Sequence, residues 1–151
     1  MIKEIIQAVQ AKIQSVTDIK YVDADWGQLD YYSPNFPVKF PCALIDVSNA
    51  NYSNIGIDKR ATPRNRQQAD ATLSLTIADL KLSNSSGMAP TFQKDNAYKI
   101  YELIESVHAM LQGFCATNKT TALIRTGMSR SKRDDGVQEY YITYSFSIHN
   151  I

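Results

Sequence analysis

The 151-residue chain has two histidines and two cysteines, and its glycines at 56, 87, 113, 127 and 136 stand singly. Each scarcity excludes a class of chemistry. Cys42 and Cys115 have no CxxC partner and form no ligand spacing with His108, His149 or the acids, so no zinc signature is present. They read as two reduced thiols packed as small apolar side chains. Isolated glycines give no phosphate-cradling loop, and no G-x-S-x-G nucleophile elbow occurs. No apolar run approaches the roughly 20 residues that span a bilayer. The opening MIKEIIQAVQAK mixes charge with apolar residues, unlike a signal-peptide core. A formal net charge of +1 exerts no global pull toward nucleic acid or anionic lipid.

What is present is globular: 44% hydrophobic and 21% charged residues, enough for one domain over 1–151 with its own core. Ile2, Ile5, Ile6, Val9, Ile13 and Val16 recur at helical steps and predict an amphipathic helix over about 2–16. A short strand follows at 19–23, and a second at 41–49, apolar on both faces in its first half. Residues 68–79 alternate Ala69, Ala71, Leu73, Leu75 and Ile77 with polar partners, the signature of a sheet with one wet face. A long helix begins at Thr91 or Asp95 and runs for about 22 residues on the face of Ala97, Ile100, Ile104, Val107, Leu111 and Cys115. Strands at 120–128 and 136–150 close the chain around a hairpin loop, SRSKRDDG. The expected fold is α+β: order α-β-β-β-α-β-β, with an antiparallel or mixed sheet of four or five strands and two helices on one face.

Two segments escape this pattern. Residues 26–41, WGQLDYYSPNFPVKFP, hold Pro34, Pro37 and Pro41, which bias Ser33, Phe36 and Phe40 away from helix. This aromatic arm either covers its own core or reaches a neighbouring molecule. The stretch from Asn51 to Gln67 is too polar for core and too long for a tight turn, so it reads as a mobile loop anchored by little beyond Tyr52, Ile55 and Ile57.

Candidate chemistry is sparse. His108 lies on the apolar helix face and reads as a core or interface histidine bonded through one nitrogen. Asp23, Asp25 and Asp30 offer oxygen ligands for a hard cation, yet aspartate also ends strands and caps turns. Lys59, Arg60, Arg64 and Arg66 cluster in the long loop, and Arg130, Lys132 and Arg133 in the hairpin. Such groups contact phosphate in nucleic-acid binders, but here no aromatic stacking platform is interleaved and Asp58, Asp134 and Asp135 dilute the charge.

The order of elements, VDADWGQLDYY leading into FPVKFPCALIDV, KRATPRNRQQAD entering ATLSLTIADL, and the closing YYITYSFSIHN together resemble the tail terminator (tail completion) proteins of long-tailed bacteriophages and prophages. The resemblance covers nearly the whole chain through order and length. It implies a structural virion protein with no active site and no cofactor. Such a protein is made in the bacterial cytoplasm and sits in the virion tail as a ring, usually a hexamer. It caps the tail tube, ends tube polymerisation and presents the head-joining surface. The implied partners are its own copies, the tube protein and the head connector, with DNA only passing through the lumen and no membrane. By region, the resemblance places Trp26, Tyr31, Tyr32 and Phe36 at a subunit boundary and Lys59, Arg60, Arg64 and Arg66 toward the tube or lumen. Another neck subunit of the same apparatus, or a small bacterial enzyme or ligand-binding domain, are the alternative readings.

Overall fold

Helix α1, Ile2–Gln14, turns Ile5, Val9 and Ile13 inward, as its periodicity requires. The computed structural model describes residues 1–32 and 34–151; Ser33 of the arm lies outside the described residues. Five strands follow: β1 Tyr21–Ala24, β2 Cys42–Ile57, β3 Asn65–Leu80, β4 Ile124–Lys132 and β5 Val137–Ile148. They form one mixed sheet in the order β1-β2-β3-β5-β4. β1 runs parallel to β2 and every other pairing is antiparallel. The class, the single sheet and the helix-then-strand order agree with the sequence.

Pleat alternation gives the sheet two unlike faces. On one, Ala43 and Ile45 of β2, Leu73, Leu75 and Ile77 of β3, and Ile142, Tyr144, Phe146 and Ile148 of β5 meet α1 and a later helix, Lys99–Leu111, through Ile100, Leu103, Ile104, Val107 and Leu111. Each such side chain removed from water contributes about 1.5–3 kcal/mol, and this layer is the main core. The other face is apolar only at one end, where Cys42, Leu44, Ala78 and Val137 are covered by Leu29, Phe36, Val38 and Phe40. Farther along it turns polar: Ser74 Oγ donates to Ser48 Oγ at 2.6 Å, and Ser147 Oγ to the Asp70 carboxylate at 2.7 Å.

Three expectations need correction. The segment from Asn51 to Gln67 is not a mobile loop. Asn51 to Ile57 belong to β2 and Asn65 to Gln67 to β3, in register from Asn51↔Asp70 to Ile57↔Asn65, so only a turn at 58–64 lies between. Apart from the buried Arg66, this hairpin meets water on both faces, which removes the apolar alternation by which a strand is recognised. The pairing is carried by backbone bonds, and the Asp58 N–H to Arg64 carbonyl bond (2.8 Å) closes the turn. Second, the long helix is two: α2 Thr91–Ala97 and α3 Lys99–Leu111, giving three α-helices among the described residues. Tyr98 leaves helical geometry at φ −94, ψ 3, and its hydroxyl donates to the Ser85 carbonyl at 3.2 Å. Cys115 falls beyond the helix. Third, the hairpin between the last strands is tighter than expected: β4 runs on to Lys132, and Gly136 at φ +79 takes the left-handed position in the turn. Among the described residues no helix is long and apolar enough to cross a membrane.

Candidate interaction surfaces

The arm begins in a tight polar knot. Asp23 Oδ2 accepts from the Tyr21 hydroxyl (2.9 Å), Gln28 Nε2 (3.2 Å) and Trp26 Nε1 (3.3 Å), while Oδ1 accepts from the Ala24 N–H (2.8 Å). Burial pushes this carboxyl up, but the four donors together outweigh that and hold it below its ordinary value. Gln28 is fully buried and bridges the knot, donating to the Ala24 carbonyl (2.8 Å) and accepting from the Trp26 N–H (2.9 Å). Asp25 accepts from the Gly27 N–H at 3.1 Å. The oxygens of Asp23 are thus occupied by protein donors, and among the described residues no group of three His, Cys, Asp or Glu stands together as a metal would require.

Beyond the knot the aromatics of the arm divide. Phe36 is half-buried, edge-on to Phe40 at 5.3 Å, over the second apolar cluster. Trp26, Tyr31 and Tyr32 are 56%, 53% and 59% exposed, with Trp26 edge-on to Tyr31 at 6.2 Å. The arm is therefore a lid at its Phe36 end and an exposed aromatic surface at its Trp26 end.

Arg133, which the sequence grouped with free basic residues, holds this lid in place. Its guanidinium donates to Asp135 Oδ2 (2.8 Å), Glu139 Oε2 (3.2 Å) and the Leu29 carbonyl, and lies 5.3 Å from the Tyr32 ring centre and 5.7 Å from that of Phe36. The hydrogen bond from Arg133 lowers the Asp135 pKa, and its carboxylate partners raise that of Arg133. No local signal predicts this, because Leu29 and Arg133 are 104 residues apart in sequence.

The basic residues of the β2–β3 hairpin also divide. Lys59, Arg60 and Arg64 are exposed at its tip, where the Asp58 carboxylate accepts from the Arg60 N–H at 2.9 Å and shapes the turn. Arg66 is not at the tip and does not project. It is buried, its Nε donating to Asn150 Oδ1 (2.9 Å), one terminal nitrogen to the Pro63 carbonyl (3.1 Å), and the other to the Asn150 carbonyl. It clamps the hairpin to the chain end, which pairs there through reciprocal Gln67–Ile151 backbone bonds. The hairpin also exposes Tyr52, Ile55 and Ile57.

No arrangement of these groups resembles a reaction centre. His108 Nδ1 lies 3.2 Å from the Tyr144 hydroxyl, and burial pushes that phenol up to about 12, so the pair is a structural bond. Burial likewise lifts the Cys42 thiol to about 12, far from a nucleophilic thiolate. A shallow depression of about 360 Å³ on the polar sheet face is lined by Asn51, Asp70, Thr72, Thr121 and Ser147 among others, with neither histidine nor cysteine.

No protein-family model matches the sequence, and no curated protein matches it. The fold does have solved counterparts. One is a chain in the virion of a native gene transfer agent particle, superposing with a TM-score of 0.52 over 95% of this chain and 93% of that one, at 8% sequence identity.

Proposed function

We propose that this chain is a structural subunit of a phage-like virion, and within it the terminator ring that caps the tail tube and presents the head-joining surface. The observation that carries the reading is the end-to-end likeness in fold to a chain of a gene transfer agent virion, 95% of one chain against 93% of the other. The polar sheet face, the structural roles of His108 and Cys42, and the exposed aromatics and hairpin suit a protein whose work is binding others. Ring closure needs a heterologous self-interface, and the tip cations Lys59, Arg60 and Arg64 are then available to the tube or lumen.

Deletion of the coding sequence from its phage or prophage tests the reading. A terminator is expected to leave tails of uncontrolled length, restored to one length by the gene supplied in trans. Tails of normal length that fail to join heads would instead make the chain a neck subunit. Unaltered particles, or a purified chain that turns over a substrate, would remove it from the virion altogether.

A further inference from the structure

β2 has a long free edge. β1 covers it only from Cys42 to Ile45, and the Asp25 N–H to Ile45 carbonyl bond (2.8 Å) is the last to reach that side among the described residues. From Asp46 to Ile57 the outward backbone groups have no strand beside them. Edge strands are ordinarily blunted by lysine, proline or short length, because an open edge templates pairing with another chain. β2 lacks these guards: in sixteen residues Asp46 is its one charged side chain and it has no proline, and only two register shifts, at Val47/Asn49 and Asn54/Gly56, interrupt the edge. It also exposes apolar groups, with Ile57 at 72%. At the other end of the sheet, β4 is free from Thr126 to Lys132 and carries Arg130 and Lys132.

Strand direction and charge identify the occupant. β2, β3, β5 and β4 alternate in direction, so β4 runs opposite to β2. A second copy turned about an axis parallel to the strands therefore lays its β2 antiparallel to β4 of the first, with both helix-covered faces on the same side. Each added copy offers the same free edge again, so the contact propagates and closes where the rotation allows. Pairing β4 with β4 would oppose Arg130 and Lys132 to their own kind, which is destabilising. Pairing β4 with β2 sets these cations beside a strand that carries Asp46 and is followed by Asp58.

We infer that the β2 edge from Asp46 to Ile57 is the docking strand for the β4 edge, Thr126 to Lys132, of a second copy of this chain. The inference rests on the ring reading above and names its contact. The test is crosslinking in a Cys115→Ser background, where Cys42 is buried and unreactive. Ser129→Cys is combined in turn with Asn49→Cys, Asn51→Cys or Ser53→Cys, all exposed sites, and treated with a short bismaleimide that tolerates one step of register. Concentrated protein and purified tails are both used, and thermal melts confirm that each variant folds. The expected result is a ladder of dimer, trimer and higher species only when both strands carry a cysteine. Dimers from a β2 cysteine alone would mean two-fold β2–β2 pairing and overturn the inference. Capped tails without any ladder would place the ring contact elsewhere, leaving the functional reading standing. Absence of the chain from tails would sink both.

Discussion

At the scale of single residues, a side chain in this fold is held either by its neighbours in sequence, as Asp25 is by the Gly27 N–H, or by distant partners, as Arg66 is by Asn150. His108, expected as a histidine bonded through one nitrogen, meets the Tyr144 hydroxyl through Nδ1, while the Asp25 carboxylate shapes a turn and that of Asp23 gathers four donors. Arg66 and Arg133 looked like members of solvated basic clusters, yet each is held by partners far along the chain, Asn150 and Leu29. Arg133 carries the sharper consequence. Its side chain is 11% exposed, and those of Asp135 and Glu139 are 7% and 18%. Breaking a buried pair from one side typically costs 3–5 kcal/mol, and partial exposure lowers the expectation for Arg133→Ala to about 2–4 kcal/mol. The loss should fall on the arm: acrylamide quenching of Trp26, the sole tryptophan, rises and cleavage at Lys39 accelerates. The pH dependence has a definite sign. Asp135 is depressed below its ordinary 3.8 by the Arg133 bond, so its contribution is present above that value and lost as pH falls through the lower folded value. The urea midpoint of the native chain should therefore decline below about pH 4, and Arg133→Ala should flatten that decline. An unchanged slope in the variant would show that the pair does not couple to folding.

At the scale of elements, strands and helices with one buried face were legible, and those without one were not. β3 and β5 keep strict alternation because one face meets α1 and α3. The distal halves of β2 and β3 have no such layer, and their polarity imitates a loop. The break at Tyr98 is equally hidden, since Ala97, Ile100, Leu103 and Ile104 keep the helical period across it. Because little apolar burial holds the distal hairpin, its order depends on backbone pairing and on the Arg66 clamp. Arg66→Ala removes the bonds to Asn150 and Pro63. Net bonds from a charged donor are each worth about 1.5–3 kcal/mol at most when buried, and local opening of the hairpin is where that loss appears. Amide exchange at Ser53–Ile57 and Arg66–Gln68 should speed at least tenfold, while Ile45, Leu75 and Ile142 in the core stay protected. Equal acceleration in both regions would mean that the hairpin and the core open as one unit.

At the scale of the whole molecule, the surfaces left over after folding are the ones that assembly can use, and they separate by substitution. Phe36 lies on the second apolar cluster, whereas Tyr31 and Tyr32 are more than half exposed, though Tyr32 also lies beside Arg133. Phe36→Ala should then lower folding stability by about 1–3 kcal/mol, less than a full core truncation. Tyr31→Ala should stay within about 0.5 kcal/mol of the native chain, as surface changes do, so any defect it shows in joining or ring formation belongs to an interface. Loss of folding in Tyr31→Ala with no assembly phenotype would return the whole arm to its own core. The hairpin tip is tested by charge. Lys59, Arg60 and Arg64 are exposed and belong to neither apolar cluster, so reversing all three to glutamate leaves the melting temperature unchanged. If the tip faces a tube protein or DNA in the lumen, the reversed chain folds, forms the same ladder in the Ser129→Cys and Asn51→Cys background, and yet fails to cap tails. The same reversal breaking the ladder would place the tip in the self-contact. Capping at native efficiency would place the three cations on a surface that meets only solvent.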